Sequence, residues 1–116
     1  VDDEPNILNL LRIILESDGS AVDICSNGEE ALKQIARTRY DLIVSDFKMP
    51  GLNGLQVYER LETSDPATAK RFMLMSGDII DYRLKQKFEW IGKKCLKKPF
   101  TLQEFRAATA DIIASH

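Results

Sequence analysis

Residues 41–45, Asp-Leu-Ile-Val-Ser, form a near-continuous apolar run. A strand with one face in water alternates polar and apolar residues, so such a run marks a strand covered on both faces. Coverage on both faces needs helices on both faces. The chain supplies them, alternating helix signals with further short apolar runs. That alternation implies a parallel sheet with right-handed crossovers and a helical layer on each side.

A helix is expected over residues 5–18: Pro5 suits the first turn, Ile7, Leu11, Ile14 and Leu15 fall on one face, and Gly19 ends it. Residues 21–25 read as a short strand. Ser26-Asn27-Gly28-Glu29 then has the form of a capping box, and Ala31, Leu32, Ile35 and Ala36 make the next apolar stripe. After the strand at 41–45, Pro50-Gly51 and Asn53-Gly54 break the chain into a loop. A helix over 54–62 follows, with Leu55, Tyr58 and Leu61 inward. Residues 71–75 read as a second apolar strand ending at Ser76, and 80–90 as a weaker helix with Leu84 and Phe88 four apart. Residues 94–97 form a last strand, stopped by Pro99. The closing helix, 101–113, takes Thr101 as cap and Glu104 as its partner, with Leu102, Phe105, Thr109 and Ile112 along its inner face.

One element is missing from this order. A helix follows Val1 at once, where the architecture needs a strand. Val1 is read as the end of a strand whose remainder lies upstream, because a central strand cannot be absent without leaving its neighbours' backbone groups unpaired. The expectation is one domain spanning residues 1–116, trimmed at its N-terminus.

Composition removes several classes. Apolar residues make up 44% and charged residues 29%, a balance that argues against disorder. A net charge of −2 gives no global field favouring nucleic acid or an anionic membrane. No apolar run approaches the roughly 20 residues that would span a bilayer, and no signal peptide opens the chain, so a cytoplasmic location is expected. Cys25 and Cys95 each sit in an apolar segment and read as buried, reduced thiols. The single histidine is His116, which excludes metal ligation by histidine.

In open α/β sheets, ligands bind at the carboxyl ends of the strands. The polar residues there are Asp2 and Asp3 after the expected first strand, Asp46 after the third, Ser76 after the fourth and Lys98 after the fifth. Carboxylates crowded at one edge repel one another unless a cation neutralises them. Oxygen donors select a hard ion, and a small number of them points to Mg²⁺, which keeps several of its waters. A lysine and a hydroxyl complete a site shaped for a phosphoryl group. Each piece has an ordinary reading alone. Asp2-Asp3-Glu4 can complement a helix dipole, Asp46 can be a turn residue, Ser76 a cap, and Lys98 one of the solvated set Lys93, Lys94, Lys97 and Lys98. Those readings do not account for the joint placement at successive strand ends.

Five segments carry a resemblance: Val1-Asp2-Asp3-Glu4-Pro5, Asn27-Gly28-Glu29-Glu30-Ala31-Leu32, Asp46-Phe47-Lys48-Met49-Pro50-Gly51-Leu52-Asn53-Gly54, Ser76-Gly77 and Lys98-Pro99-Phe100. In order and spacing they resemble the receiver domains of two-component response regulators, across the whole chain. The stretch from Asp46 to Gly54 and the Lys-Pro-Phe segment are the specific signatures. The resemblance implies a flavodoxin-like, doubly wound, five-stranded parallel sheet in the order 2-1-3-4-5. It implies Asp46 as nucleophile and phosphate acceptor, and Mg²⁺ held directly by Asp3 and Asp46, through a water by Asp2, and by the backbone carbonyl of Lys48. Ser76 would hydrogen-bond a phosphoryl oxygen and Lys98 would pair with its charge. The Lys98–Pro99 bond, cis in the family, would aim that lysine inward. Gly77 leaves room beside the acceptor, and Lys48 and Asp78 would tune the lifetime of the phosphoryl group.

The implied partner is a histidine kinase or a His-phosphotransfer protein, since no internal histidine could act as donor. A homodimer through the fourth helix, last strand and last helix is a further possibility the resemblance raises. The parent would be either a hybrid histidine kinase carrying this domain at its C-terminus or a stand-alone response regulator. The domain would modify itself and lose the mark, without turning over a free substrate. One departure stands out: receivers usually carry an aromatic residue three positions before the lysine, and this chain has Cys95. An interaction module with impaired switching is the alternative this raises. An Mg²⁺-dependent phosphohydrolase of the haloacid dehalogenase type would need a second acid two residues after Asp46, where Lys48 stands.

Overall fold

The computed structural model describes residues 1–77, 86 and 95–114. The elements are α1 (Pro5–Ser17), α2 (Gly28–Arg37), β1 (Ile43–Asp46), α3 (Gly54–Ser64), a short α4 (Pro66–Ala69), β2 (Phe72–Ser76), β3 (Cys95–Lys97) and α5 (Leu102–Ala114). Apart from residue 86, the helix expected over 80–90 lies outside the described residues, as does Asp78.

The three strands pair in parallel in the order β1-β2-β3, with Asp46 beside Met75 and Ser76 beside Lys97. Two further lines of backbone hydrogen bonds extend the sheet past β1. The Val1 amino group donates to the Val44 carbonyl, and the Asp46 N–H donates to the Val1 carbonyl at 2.8 Å. On its other side, the Asp2 N–H donates to the Cys25 carbonyl at 3.0 Å. The segment ending at Cys25, then Val1, then β1, β2 and β3 thus succeed one another across the sheet, which is the expected order 2-1-3-4-5. Residues 21–25 do not form the expected regular strand. Their neighbour in that order is the short Val1–Asp2 stretch, which offers too few backbone groups for a ladder.

Alternation along β2 assigns the two helical layers. All five of its residues are buried. Phe72 and Leu74 point to one side and join Leu55, Val57, Tyr58 and Leu61 of α3, with Leu32 and Ile35 of α2 packed against them. Met73 and Met75 point to the other and join Leu11 of α1 and Phe105 and Ile112 of α5. The ring of Tyr58 meets that of Phe72 edge-on at 5.6 Å. Each such buried side chain contributes about 1.5–3 kcal/mol of burial free energy, so both layers are fixed by the central strand.

Local signals set the helix ends. Gly19 takes φ +92° after α1, and its N–H and that of Ser20 close onto the Glu16 and Leu15 carbonyls at 3.0 Å. Thr101 and Glu104 form the expected reciprocal box at the start of α5, with bonds of 3.0 and 3.1 Å. At α2 the cap is Asn27, not Ser26: its side chain accepts from the Glu30 N–H at 2.9 Å. Leu102, expected inside, is 45% exposed. Phe100 stacks on Phe105 at 5.6 Å and covers the inner start of α5 instead.

Candidate functional site

The carboxyl edge of the sheet gathers Asp2, Asp3, Asp46, Ser76 and Lys98. Asp46 closes β1 and Ser76 closes β2. The ladder then runs one residue past β3, where the Lys98 N–H donates to the Ser76 carbonyl at 2.7 Å, so the lysine's backbone is placed by the end of β2. The Lys98–Pro99 peptide bond is cis. Lys98 Nζ stands 3.0 Å from Asp46 Oδ1 and 3.7 Å from Asp2 Oδ2.

Asp2, Asp3 and Asp46 each present an atom within 4.8 Å of the others. Asp2 is fully buried and Asp46 nearly so, while Asp3 is exposed at the rim. Asp2 Oδ1 accepts the Glu4 N–H at 2.9 Å, but Asp2 Oδ2 is buried without a hydrogen bond. Burial raises the Asp2 carboxyl above the usual carboxylate range. The charge of Asp46 adds to this, while the Glu4 N–H and Lys98 oppose it. A buried carboxylate oxygen with no donor is costly unless something cationic faces it. The donor set is all oxygen, partly buried and open on the Asp3 side, which fits a hard divalent ion that retains water. Asp3 also lines a cleft of about 420 Å³ with Phe47, Lys48, Met49, Pro50, Gly51 and Asn53. That cleft meets the acidic edge at Asp3.

The remaining expected residues fall as follows. Ser76 is 5% exposed, at the edge beside Lys98. Gly77 follows it; a β-carbon there would meet Lys98 Cδ at 3.8 Å, an ordinary contact, so in this state the glycine is not demanded by a clash. Cys95 pairs in register with Leu74 and packs against the cluster of α3 and β2, where burial pushes its thiol up to about 11. A thiol so held is a poor nucleophile at neutral pH.

The sequence reading missed two neighbours of Asp46. Ser45 is fully buried, and its hydroxyl donates to the Asp46 carbonyl at 3.0 Å. Gly54, the first residue of α3, lies so close that a β-carbon would overlap that carbonyl and stand 2.7 Å from Leu74 Cδ2. The available signal was a lone hydroxyl inside an apolar strand, which has to find an acceptor.

With this geometry in hand, residues 1–110 match the response regulator receiver domain family, and the chain belongs to it. It is 35% identical to the transcriptional regulatory protein ResD of Bacillus subtilis over 104 residues, 90% of this chain and 42% of that protein. The chain thus spans less than half the length of that relative. A putative response regulator from Chloroflexus aurantiacus superposes with a TM-score of 0.84 at 28% identity, covering 98% of this chain and 93% of that one. The response regulator TrrA from Thermotoga maritima, solved in complex with Mg²⁺-BeF, gives 0.78 at 29% identity, covering 96% and 93%. The fold is the flavodoxin-like receiver fold, and the chain is a two-component signalling module.

Proposed function

We propose that this domain accepts a phosphoryl group on Asp46 from a phosphohistidine of a histidine kinase or His-phosphotransfer protein, and that Mg²⁺ is required. The observation that carries the reading is the convergence of Lys98 on both Asp46, at 3.0 Å, and Asp2, at 3.7 Å, inside a cluster of three carboxylates. Asp3 and Asp46 would hold the ion, with Asp2 through a water and the Lys48 carbonyl completing the set. When bound, it supplies charge neutralisation between an anionic nucleophile and an anionic donor.

The chain's own residues do the rest. An Asp46 carboxylate oxygen attacks phosphorus, the P–N bond to the donor imidazole breaks, and the imidazole nitrogen keeps the electron pair and takes a proton. Lys98 pairs with the transferred charge, and Ser76 donates its hydroxyl to a phosphoryl oxygen. Water later cleaves the acyl phosphate, returning the carboxylate and inorganic phosphate. Lys48 and Asp78 would set how readily that water enters. The added charge, roughly −1.5 to −2 by analogy with other phosphorylated side chains, draws Ser76 and Gly77 inward and alters the surface beside β3 and α5. A partner or a second copy would read the change there. Cys95 stands at the usual place of an aromatic reporter, so that readout would run through the backbone.

The domain acts on itself only, in a cytoplasmic setting. Among the described residues no helix is long and apolar enough to cross a membrane. The test is intact mass after incubation with a small phosphodonor and Mg²⁺. The wild type should gain one phosphoryl group, and Asp46→Asn or added chelator should abolish the gain. A folded wild type that gains nothing, from the small donor or from a kinase, would overturn the reading.

A further inference from the structure

The sheet edge poses a problem at the acceptor residue. Between Val1 and β1 the parallel ladder runs from the Val1 amino group to the Val44 carbonyl, then from the Asp46 N–H back to the Val1 carbonyl. The next rung would take the N–H of residue 3 to the Asp46 carbonyl. The chain bends away at Asp3, which is carried out to the rim of the acidic cluster. The departure that puts Asp3 where a metal ligand is needed thus leaves the Asp46 carbonyl without its sheet partner. A buried carbonyl in that position has to be satisfied or held off by strain.

Ser45 takes the vacant role. Its hydroxyl is buried at the end of an otherwise apolar run and donates to the Asp46 carbonyl at 3.0 Å. Gly54 closes the other side, where the absence of a β-carbon lets α3 begin against this same carbonyl and 3.0 Å from Ser45 Oγ, measured from where that carbon would be. The Gly54 N–H then donates to the Phe47 carbonyl at 3.0 Å, and the Phe47 N–H to the Met75 carbonyl at 2.8 Å. The peptide planes from Asp46 to Lys48 are thereby fixed in succession, starting from the Ser45 hydroxyl.

We infer that Ser45 is a positioning residue of the acceptor site: its hydroxyl replaces the sheet partner lost at Asp3 and so sets the peptide run that aims the Asp46 carboxylate and the Lys48 carbonyl. The inference rests on the acceptor reading above. Its test separates the two by using Mg²⁺ alone as the first probe. Melting temperature is followed against Mg²⁺ concentration for the full chain, for Ser45→Ala, and for Thr109→Ala. Thr109 is a control buried hydroxyl that bonds the Phe105 carbonyl at 3.0 Å within α5, away from the site.

The Mg²⁺ concentration giving half the full shift should rise about 3- to 10-fold in Ser45→Ala, the range of one ordinary hydrogen bond. Thr109→Ala should lower the melting temperature without moving that midpoint. The phosphorylation rate read by intact mass should shift with the same Mg²⁺ midpoint. Should Ser45→Ala fail to fold, Ser45→Cys keeps the shape with a slightly larger, weaker donor, and the same direction is expected. A midpoint within about twofold of the wild type for the folded Ser45 variant, less than one ordinary hydrogen bond would give, or an equal displacement by Thr109→Ala, overturns the inference. A wild type that shifts with Mg²⁺ yet takes no phosphoryl group counts against the acceptor reading and leaves the Ser45 comparison to be judged by the metal midpoint.

Discussion

Replacing Asp2 by asparagine should stabilise the protein in chelator and weaken its response to Mg²⁺. The buried Oδ2 of Asp2 makes no hydrogen bond and faces Lys98 Nζ at 3.7 Å, and an oxygen of the Asp2 carboxylate lies within 4.8 Å of one of Asp46. In the Asp2→Asn variant the amide oxygen can keep the Glu4 N–H now held at 2.9 Å, while the neutral amide ends the repulsion between the buried Asp2 carboxylate and Asp46. Leaving a buried polar group unsatisfied costs about 1–3 kcal/mol. Lys98 already offsets part of that, so the low end applies, about 1 kcal/mol, or a melting temperature higher by roughly 4 °C for a domain of this size. With Mg²⁺ the order should change. A ligand at a hundredfold excess over its Kd stabilises by about 2.7 kcal/mol, and the variant, with one charge fewer in the site, should gain less at the same concentration. pH gives an independent readout in chelator. Burial holds the Asp2 carboxyl above the usual range, so the folded state binds that proton more tightly than the unfolded state. The associated stability is fully present below the unfolded pKa and is lost as pH rises through the folded one. The wild type should show this loss, and Asp2→Asn should not. Calorimetric melts in chelator and in Mg²⁺, over a pH series from about 4 to about 8 that brackets the carboxylate range, measure all three effects. A variant less stable than the wild type in chelator, with an undiminished Mg²⁺ shift, would refute the reasoning.

Two further outcomes follow from packing. Gly54→Ala should destabilise by about 1–3 kcal/mol, because the new methyl meets the Asp46 carbonyl and Leu74 with no room to yield. Gly77→Ala should melt like the wild type, its methyl making only a 3.8 Å contact with Lys98; equal denaturant midpoints for the two variants would contradict the close approach at Gly54. Cys95 should resist alkylation. Burial moves its thiol from 9.0 to about 11, which cuts the thiolate fraction near pH 8 about a hundredfold. In a Cys25→Ser background, iodoacetamide labelling followed by mass should be slow in the folded state and fast in denaturant, and similar rates in both would place the thiol in solvent.

The sequence discloses this fold where local chemistry and tertiary placement agree, and misleads where a distant close approach decides. The apolar run before Asp46, the Thr101–Glu104 box and Gly19 are local, and each is found where periodicity and capping rules put it. The start of α2 is not local. Ser26 and Asn27 are both competent caps, and the choice falls on Asn27 because Gly28 must open the helix against α3, where a β-carbon would come within 2.7 Å of Val57. The short α4 was missed although Asp65-Pro66 is a sound cap and first turn; Asp65 accepts from the Thr68 N–H and hydroxyl. Four residues carry too little periodicity to register as a helix.

The site divides along the same line. Asp2, Asp3, Asp46, Ser76 and Lys98 could be read from the sequence because a parallel sheet sends every strand end to one edge, so position in the chain predicts position in space. Ser45 could not, because its hydroxyl matters only if the chain leaves the sheet at Asp3 and α3 begins flush against the Asp46 carbonyl. Both conditions lie far from Ser45 in sequence. The residues proposed for the chemistry sit at or just past strand ends, where sequence patterns change abruptly and draw notice. Residues that aim them sit inside elements, where a single polar atom in an apolar run looks like tolerance. The useful question for such an atom is which backbone group the topology has left without a partner, and here that group is the carbonyl of Asp46.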